Sequence, residues 1–337
     1  MARFYRLDLA RNHAVSTEIT GYSASALVFL HSLTADPRYL DRAIAAARFL
    51  TRTWDAATHS MPYEIALPVL TYFFDCGIIV RGLLSAWRAT GESEFLDCAT
   101  AIGESMARDF AAPNGQFHPV LRLPEKHPLE GSAGRWSRLP GCYQLKAGMA
   151  WWDLWEISGD ARYRRLYEGL LEYALGDSTD FLPGHPRRRT VVDRLHAFLY
   201  FLEGLLPVAP PGSDARAAAA LCGGIERVAR HLRSLAPEFE RSDVYAQLLR
   251  VRLYADWAGV LPLDRAAAEW EAGKLLEFAA PAPGPASEAA QHIAGGFYFG
   301  RTGGTWEPYI NPVSTAFALQ ALALWNRCAQ PHRHLLI

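Results

Sequence analysis

Residues 70–91 read LTYFFDCGIIVRGLLSAWRATG, and residues 92–110 continue ESEFLDCATAIGESMARDF. The first half is apolar on nearly every side, with only Asp75 and Arg81 charged before Arg88. A helix that reads this way is buried all round. Gly91 stops it, because glycine takes the left-handed backbone that a helix C-terminus needs. In the second half Phe95, Leu96, Ala99, Ile102, Gly103 and Met106 recur at helical spacing with charge between them, the pattern of a helix with one wet face. An inner helix, a tight turn and an outer helix make one hairpin.

The hairpin repeats. Residues 21–50 (GYSASALVFLHSLTADPRYLDRAIAAARFL) and 143–175 (YQLKAGMAWWDLWEISGDARYRRLYEGLLEYAL) share its layout: an inner helix of small and aromatic residues, T-A-D, T-G-E or S-G-D, then an amphipathic helix. Two looser copies follow, pairing 191–207 with 214–235 and 243–259 with 264–278. A last inner-type helix, NPVSTAFALQALALWNRC, covers 311–328 without an outer partner after it. Residues before His13 are the nearest candidate to pack beside it and close a ring. Self-similarity of this kind predicts one closed all-α array over residues 1–337, an (α/α)6 toroid of about six hairpins in a single domain.

Composition agrees. Half of the 337 residues are hydrophobic, with 10 Trp, 14 Tyr and 16 Phe, enough for a large core. The formal charge of −1 argues against a nucleic-acid partner. Five scattered cysteines without a CxxC pair favour reduced thiols and a cytoplasmic setting. The opening MARFYRLDLARNH has no apolar core of a secretory signal, and no apolar run of about 18 residues predicts a membrane span. Glycine-rich nucleotide loops, HExxH and GxSxG are missing, and the eleven histidines do not cluster at ligand spacing, so neither metal nor cofactor is expected.

Loop lengths locate the working end. Turns from inner to outer helices are tight (TADP, TGES, SGDA, PPGSD, GVLP). Returns from outer to inner helices, at 54–69, 111–140, 176–190 and 280–309, are long and rich in aromatic and basic residues. In a hairpin array all the long returns meet at one end, where the inner helices begin. Long loops in compact domains tend to carry function.

The layout resembles the (α/α)6 toroids: six-hairpin glycosidases, N-acylglucosamine 2-epimerase relatives, unsaturated-uronyl hydrolases and polysaccharide lyases. TADPRYL, TGESEFL and SGDARYR look like the inner-to-outer turn of those proteins. TEITGY, FFDCGIIVRGLL and NPVSTAFALQALALW resemble more closely a toroid group of unassigned activity linked to polysaccharide metabolism. Terpenoid cyclases also build such toroids, but their DxDD-type motif and regular QW repeats are absent here.

Candidate chemistry clusters at inner-helix starts. Glu18, Asp75, Asp193, His196, Asp243 and Glu307 are the candidate catalytic groups. Each has a plain alternative. Glu18 and Asp193 suit a helix N-terminus electrostatically. Asp75 needs a partner in its apolar helix, with Arg81 or another ring residue available. Asp193 and His196 lie three apart and share a face. Tyr22, Tyr72, Trp136, Tyr143, Tyr245, Trp306 and Tyr309 offer aromatic faces for sugar. Arg122, Lys146, Arg194 and Asn311 offer polar contacts, with Lys146 alternatively a snorkelling cation and Asn311 alternatively an N-cap. Gln247 stands on the same helix start as Asp243. Further cations sit in the returns: Arg135, Arg138, Arg187, Arg188 and Arg189.

Acids, aromatics and cations around a toroid mouth suit a saccharide, and the local cation excess suits an anionic, uronate-containing one. Acid/base chemistry then leads to a hydrolase, which needs two opposed carboxylates. It leads equally to a lyase or epimerase, in which Tyr, His or Lys removes a proton beside the uronate carboxylate while cations stabilise the carbanion. A non-catalytic saccharide-binding or polysaccharide-assembly protein and a terpenoid-cyclase-like enzyme are the alternatives. Sugar, linkage and oligomeric state are not encoded in these motifs.

Overall fold

In the computed structural model, described for residues 1–67, 69–131, 135–182, 188–236, 238–280 and 293–337, the hairpins close into a ring. Of the expected loop cations, Arg187 and the side chains of Arg188 and Arg189 lie outside the described residues. The hairpins are α1 (Thr17–Thr34) with α2 (Pro37–Thr53), α3 (Phe73–Thr90) with α4 (Ser93–Asp109), α5 (Gln144–Ser158) with α6 (Ala161–Asp177), α7 (Arg188–Leu205) with α8 (Ala215–Leu235), and α9 (Ser242–Trp257) with α10 (Arg265–Leu276). A last inner helix, α11 (Pro312–Trp325), follows. The odd-numbered helices touch in order around the ring, and α11 returns to α1. The fold is an (α/α)6 toroid.

The repeated turn has a physical basis. Ala35, Gly91 and Gly159 end their inner helices in the left-handed region, at φ of 55°, 75° and 73°. Asp36, Asp160, Asp214 and Asp264 then cap the outer helices by accepting backbone N–H bonds at 2.8–3.0 Å. The T-A-D and S-G-D strings are therefore a C-cap followed at once by an N-cap.

The long returns hold more structure than loops. Three small antiparallel sheets form there. Strands β1 (Tyr5–Arg6) and β2 (Arg11–Asn12) come from the N-terminal lead-in. Strand β3 (Leu70–Tyr72) pairs with β4 (Val120–Arg122), which pairs with β5 (His127–Pro128). Strand β6 (Phe239–Arg241) pairs with the hairpin of β7 (Gly300–Thr302) and β8 (Thr305–Trp306). Strand β9 (Tyr309–Ile310) pairs with β1. Strands β3, β6 and β9 lead straight into α3, α9 and α11, so each sheet aims an inner-helix N-terminus. Two or three residues per strand are too few for alternation to register in the sequence.

Residues before His13 lie beside α11 as expected, with β1 paired to β9 at its entrance, and the ring itself closes helix to helix, α11 on α1. Residues 333–337 fill the opposite end of the ring. Arg81 donates to the Arg333 and Leu336 oxygens at 3.0 and 2.9 Å, Lys146 to the Ile337 oxygen at 3.1 Å, and Gln320 to the Leu335 oxygen at 2.6 Å. The ring thus opens at its helix N-termini and is packed below. Among the described residues no helix is long and apolar enough to cross a membrane.

Candidate active site at the mouth of the ring

The helix crossing of α1 and α3 sets the first feature. A Cβ on Gly82 would fall 2.5 Å from the Gly21 carbonyl oxygen, and one on Gly21 would fall 3.0 Å from the Ile79 Cα. Backbones this close put the two helices side by side without a side-chain layer between them. One turn towards the mouth stand Glu18 on α1 and Asp75 on α3, each in the first turn of its helix.

These carboxyls act on each other. Asp75 is 7% exposed, and its Oδ2 is sealed without a hydrogen bond among the described residues. Burial pushes its pKa well above the usual carboxylate range, and the Glu18 charge adds to this. Glu18 is half-buried in the wall of the mouth. Burial pushes it up to about 7, against the pull of Arg3. A sealed carboxylate without partners sheds its charge by taking a proton. The pair therefore holds a proton at near-neutral pH, Asp75 more firmly than Glu18. The alternative partner for Asp75 is ruled out by geometry, because Arg81 bonds Asp153 at 3.0 Å.

Across the ring, three helices on from α1, α7 presents His196. Its Nδ1 lies 2.6 Å from Gln247 Oε1 and 3.5 Å from Asp243 Oδ2. An amide oxygen at that distance assigns the proton to Nδ1 and leaves Nε2 for the cavity. Burial pushes the imidazole down to about 4, against Asp243, so the ring is neutral at pH 7. Asp243 would itself be raised by burial, but Arg241 and His196 hold it below its ordinary value. Arg241 binds Asp243 through Nε and Nη2 at 3.0 and 2.6 Å and Asp193 through Nη1 at 2.8 Å. Its guanidinium sits 4.6 Å over the Phe299 ring.

Two adjoining cavity lobes, of about 430 and 380 Å³, meet at this set, sharing Arg3, Glu18, His196, Tyr200 and Arg241. The first lobe adds Asp75, Tyr72, Trp136, Tyr143 and the cations Arg135 and Arg138. The second adds Arg6, Asp243, Phe299, Tyr309 and Asn311. A groove of about 720 Å³ lies elsewhere, between α6 and the α7–α8 turn. Arg216 there is paired with Glu172 and Asp214, and Arg164 with Glu168, so their charge is already spoken for.

The structure separates the candidates by helical phase and strand alternation. Glu18, Asp75, His196, Asp243, Tyr72, Trp136, Tyr143, Tyr309 and Asn311 come together on the cavity wall. Asn311 also caps α11, accepting from the Ser314 N–H at 2.6 Å. Asp193 stands back from the wall, its carboxylate on Arg241 and its side chain 43% exposed. Arg194, one residue round the helix, turns away and bonds the Phe181 oxygen at 2.7 Å. Tyr245 faces the outer layer, its hydroxyl on Glu240 at 2.8 Å and its ring against Trp270. Glu307 accepts from the Thr302 hydroxyl at 2.9 Å beside the β7–β8 hairpin. Trp306 stacks on Tyr298 at 4.8 Å on the outside. Arg122 is the outward residue of β4 beside buried Leu121.

Lys146 needs correcting as a mouth cation. It lies a turn deeper, fully buried, with Glu203 at 2.8 Å and the Ile337 oxygen at 3.1 Å. Burial lowers it to about 7, against Glu203. Tyr22 lies under the cavity floor rather than on its wall. Among the wall residues that escaped the sequence reading are Arg3, Arg6, Tyr200, Arg241 and Phe299. Tyr200 had a usable signal, four residues after His196 on one helix face. Arg3 and Arg241 had none, since Arg3 lies in the irregular lead-in before β1 and Arg241 is delivered by the pairing of β6.

No family model matches the chain, and no curated protein does. Solved structures do. Cellobiose 2-epimerase from Spirochaeta thermophila is similar over 93% of this chain and 86% of its own, at 16% identity and a TM-score of 0.69. A D-mannose isomerase is similar over 97% and 90%, at 9% identity and a TM-score of 0.71. Unsaturated glucuronyl hydrolase from a Bacillus species is similar over 96% and 92%, at 15% identity and a TM-score of 0.60. At these identities the likeness is one of fold, and by fold the chain is an (α/α)6 toroid of the six-hairpin kind.

Proposed function

We propose that the protein is an acid/base enzyme acting on an anionic, uronate-containing saccharide, removing a proton beside the uronate carboxylate as a lyase or an epimerase. One observation carries this reading: a neutral imidazole, His196, faces a proton-holding carboxyl pair, Glu18 and Asp75, across a cavity lined with arginine. Arg3 and Arg138 bind the uronate carboxylate. His196 Nε2 takes the proton from the neighbouring carbon, and the electron pair moves into the carboxylate as an enolate that the guanidinium groups stabilise. The carboxyl pair then supplies a proton, to the leaving glycosidic oxygen in a lyase or to the other face of the carbon in an epimerase.

Hydrolysis calls for two carboxylates on opposite sides of the bond. Glu18 and Asp75 stand on adjacent helices, and an imidazole stands opposite, which favours proton abstraction. The polar, arginine-lined cavity disfavours a terpenoid ligand. Epimerases, an isomerase, a glucuronyl hydrolase and a polysaccharide lyase share the fold, so proton transfer on saccharides lies within its reach.

The test is incubation with uronate-containing oligosaccharides in D2O. A lyase gives an unsaturated product with new ultraviolet absorbance; an epimerase gives deuterium at the carbon beside the carboxylate. His196→Gln should lower either rate about 10²–10⁴-fold. New reducing ends with neither signature would replace this reading with hydrolysis. Binding without turnover would leave a saccharide-binding protein.

A further inference from the structure

Two phenols sit between the acid and the base, and the mechanism above uses neither. Tyr200 follows His196 by one turn of α7, their ring centroids 4.5 Å apart. Only 3% of it is exposed, and that part faces both cavity lobes. Phe74 of α3 at 4.6 Å and Phe317 of α11 at 6.4 Å fix its ring from two further helices. Tyr22 of α1 lies beneath, edge-on to Phe317 at 5.4 Å. The Tyr22 hydroxyl is sealed from water, and the Tyr200 hydroxyl is the neighbouring group placed to bond it. Each phenol feels the other, and each feels both Glu18 and Glu203, so the two hydroxyls lie together between those carboxyls.

As plain core, Tyr22 is a poor choice. A buried hydroxyl whose neighbouring partner is another buried phenol, at a distance too long to complete the bond, gains no stability over phenylalanine. The neighbouring Tyr200 oxygen is the acceptor placed to take its hydrogen once Tyr200 turns its own hydrogen to a ligand.

We infer that Tyr200 is a further catalytic residue of this site and Tyr22 its positioning residue: Tyr200 donates a hydrogen bond to the sugar oxygen next to the reacting carbon, and Tyr22 donates to the Tyr200 oxygen. No proton changes owner in this contact. The two bonds in series polarise each other, and they strengthen as negative charge develops on the sugar oxygen. The inference rests on the proton-transfer reading above.

The experiment compares Tyr22→Phe and Tyr200→Phe with the wild-type protein, by melting temperature and by kcat and KM on a uronate oligosaccharide that the wild type processes. Tyr22→Phe should melt at the same or a higher temperature. Its KM should stay put while kcat falls about 5–10-fold, the worth of about one neutral hydrogen bond. Tyr200→Phe should lose about 10²-fold in kcat, as when one oxyanion donor is removed. Should Tyr200→Phe not fold, Tyr22→Phe decides alone. An active wild type with unchanged kcat in Tyr22→Phe overturns this inference and leaves the reaction class standing. A fall in kcat matched by loss of folded protein makes Tyr22 structural only, which also overturns it. A wild type inert on every uronate saccharide takes down both.

Discussion

Replacing Glu18 with glutamine should stabilise the protein while it disables the site. The unfolded chain ionises Glu18 at its ordinary value of 4.5, whereas the folded ring holds it at about 7, chiefly through burial. A group raised on folding contributes stability that is fully present below the unfolded value and is lost as pH climbs through the folded one. Between about pH 4.5 and 7, wild-type stability should therefore drop relative to the variant. The gap of about 2.5 pH units, at about 1.4 kcal/mol each, bounds the effect near 3 kcal/mol. Glu18 is only half-buried, so solvent screens part of this, leaving about 1–3 kcal/mol in favour of Glu18→Gln at neutral pH. Urea unfolding of both proteins at pH steps from about 4 to 8 measures the difference directly. It should vanish at the acid end and grow towards neutrality. Turnover of a uronate substrate should fall about 10²–10⁴-fold in the same variant, as for any lost proton-transfer group. A variant that is less stable than wild type at neutral pH, or a difference that ignores pH, would refute the reasoning: Glu18 would then be an ordinary charge at a helix N-terminus.

Further expectations follow from the same geometry. The pH profile of kcat/KM should be a bell, rising through about 4 as His196 loses its proton and falling through about 7 as the carboxyl pair loses its own. Arg241→Ala should cost about 3–5 kcal/mol in denaturant unfolding, because it strands buried Asp243, whereas Asp193→Asn, at a half-exposed partner, should change stability by less than about 1 kcal/mol. Gly82→Ala should cost about 1–3 kcal/mol by wedging α1 from α3, and should lower turnover by spreading Glu18 from Asp75. Equal stability for Gly82→Ala would mean that the crossing has slack the backbone distances do not show.

Local chemistry wrote the hairpins into the sequence. Capping is settled by neighbours in the chain, so T-A-D-P and S-G-D announce a helix end and a helix start wherever they occur. Burial on all sides leaves an unbroken apolar record, which made 73–90 legible as an inner helix. Loop lengths alone told which end of the ring would hold the cavity, since hairpins force the long returns together. On that basis Glu18, Asp75, Asp193, His196, Asp243 and Glu307 are expected at one mouth; Glu18, Asp75, His196 and Asp243 stand on one cavity wall, and Asp193 and Glu307 stand off it.

What stayed hidden depends on distance across the ring. One residue of helical phase separates Asp193 from Arg194, and two separate Asp243 on the wall from Tyr245 on the outer layer. Periodicity gives spacing, but it does not say which face meets the cavity. Lys146 reads as a mouth cation because its position is one turn from Tyr143; only tertiary packing shows it turned down onto Glu203 and the last residues of the chain. Arg241 enters the site through a strand too short to leave a pattern, and Arg3 through the irregular lead-in before β1. The raised pKa values of Glu18 and Asp75 are likewise a tertiary property. Each carboxylate alone would ionise in water, and it is the touching glycines at the α1–α3 crossing, the sealed surroundings and the absence of a bonded cation on Asp75 among the described residues that keep one of them neutral.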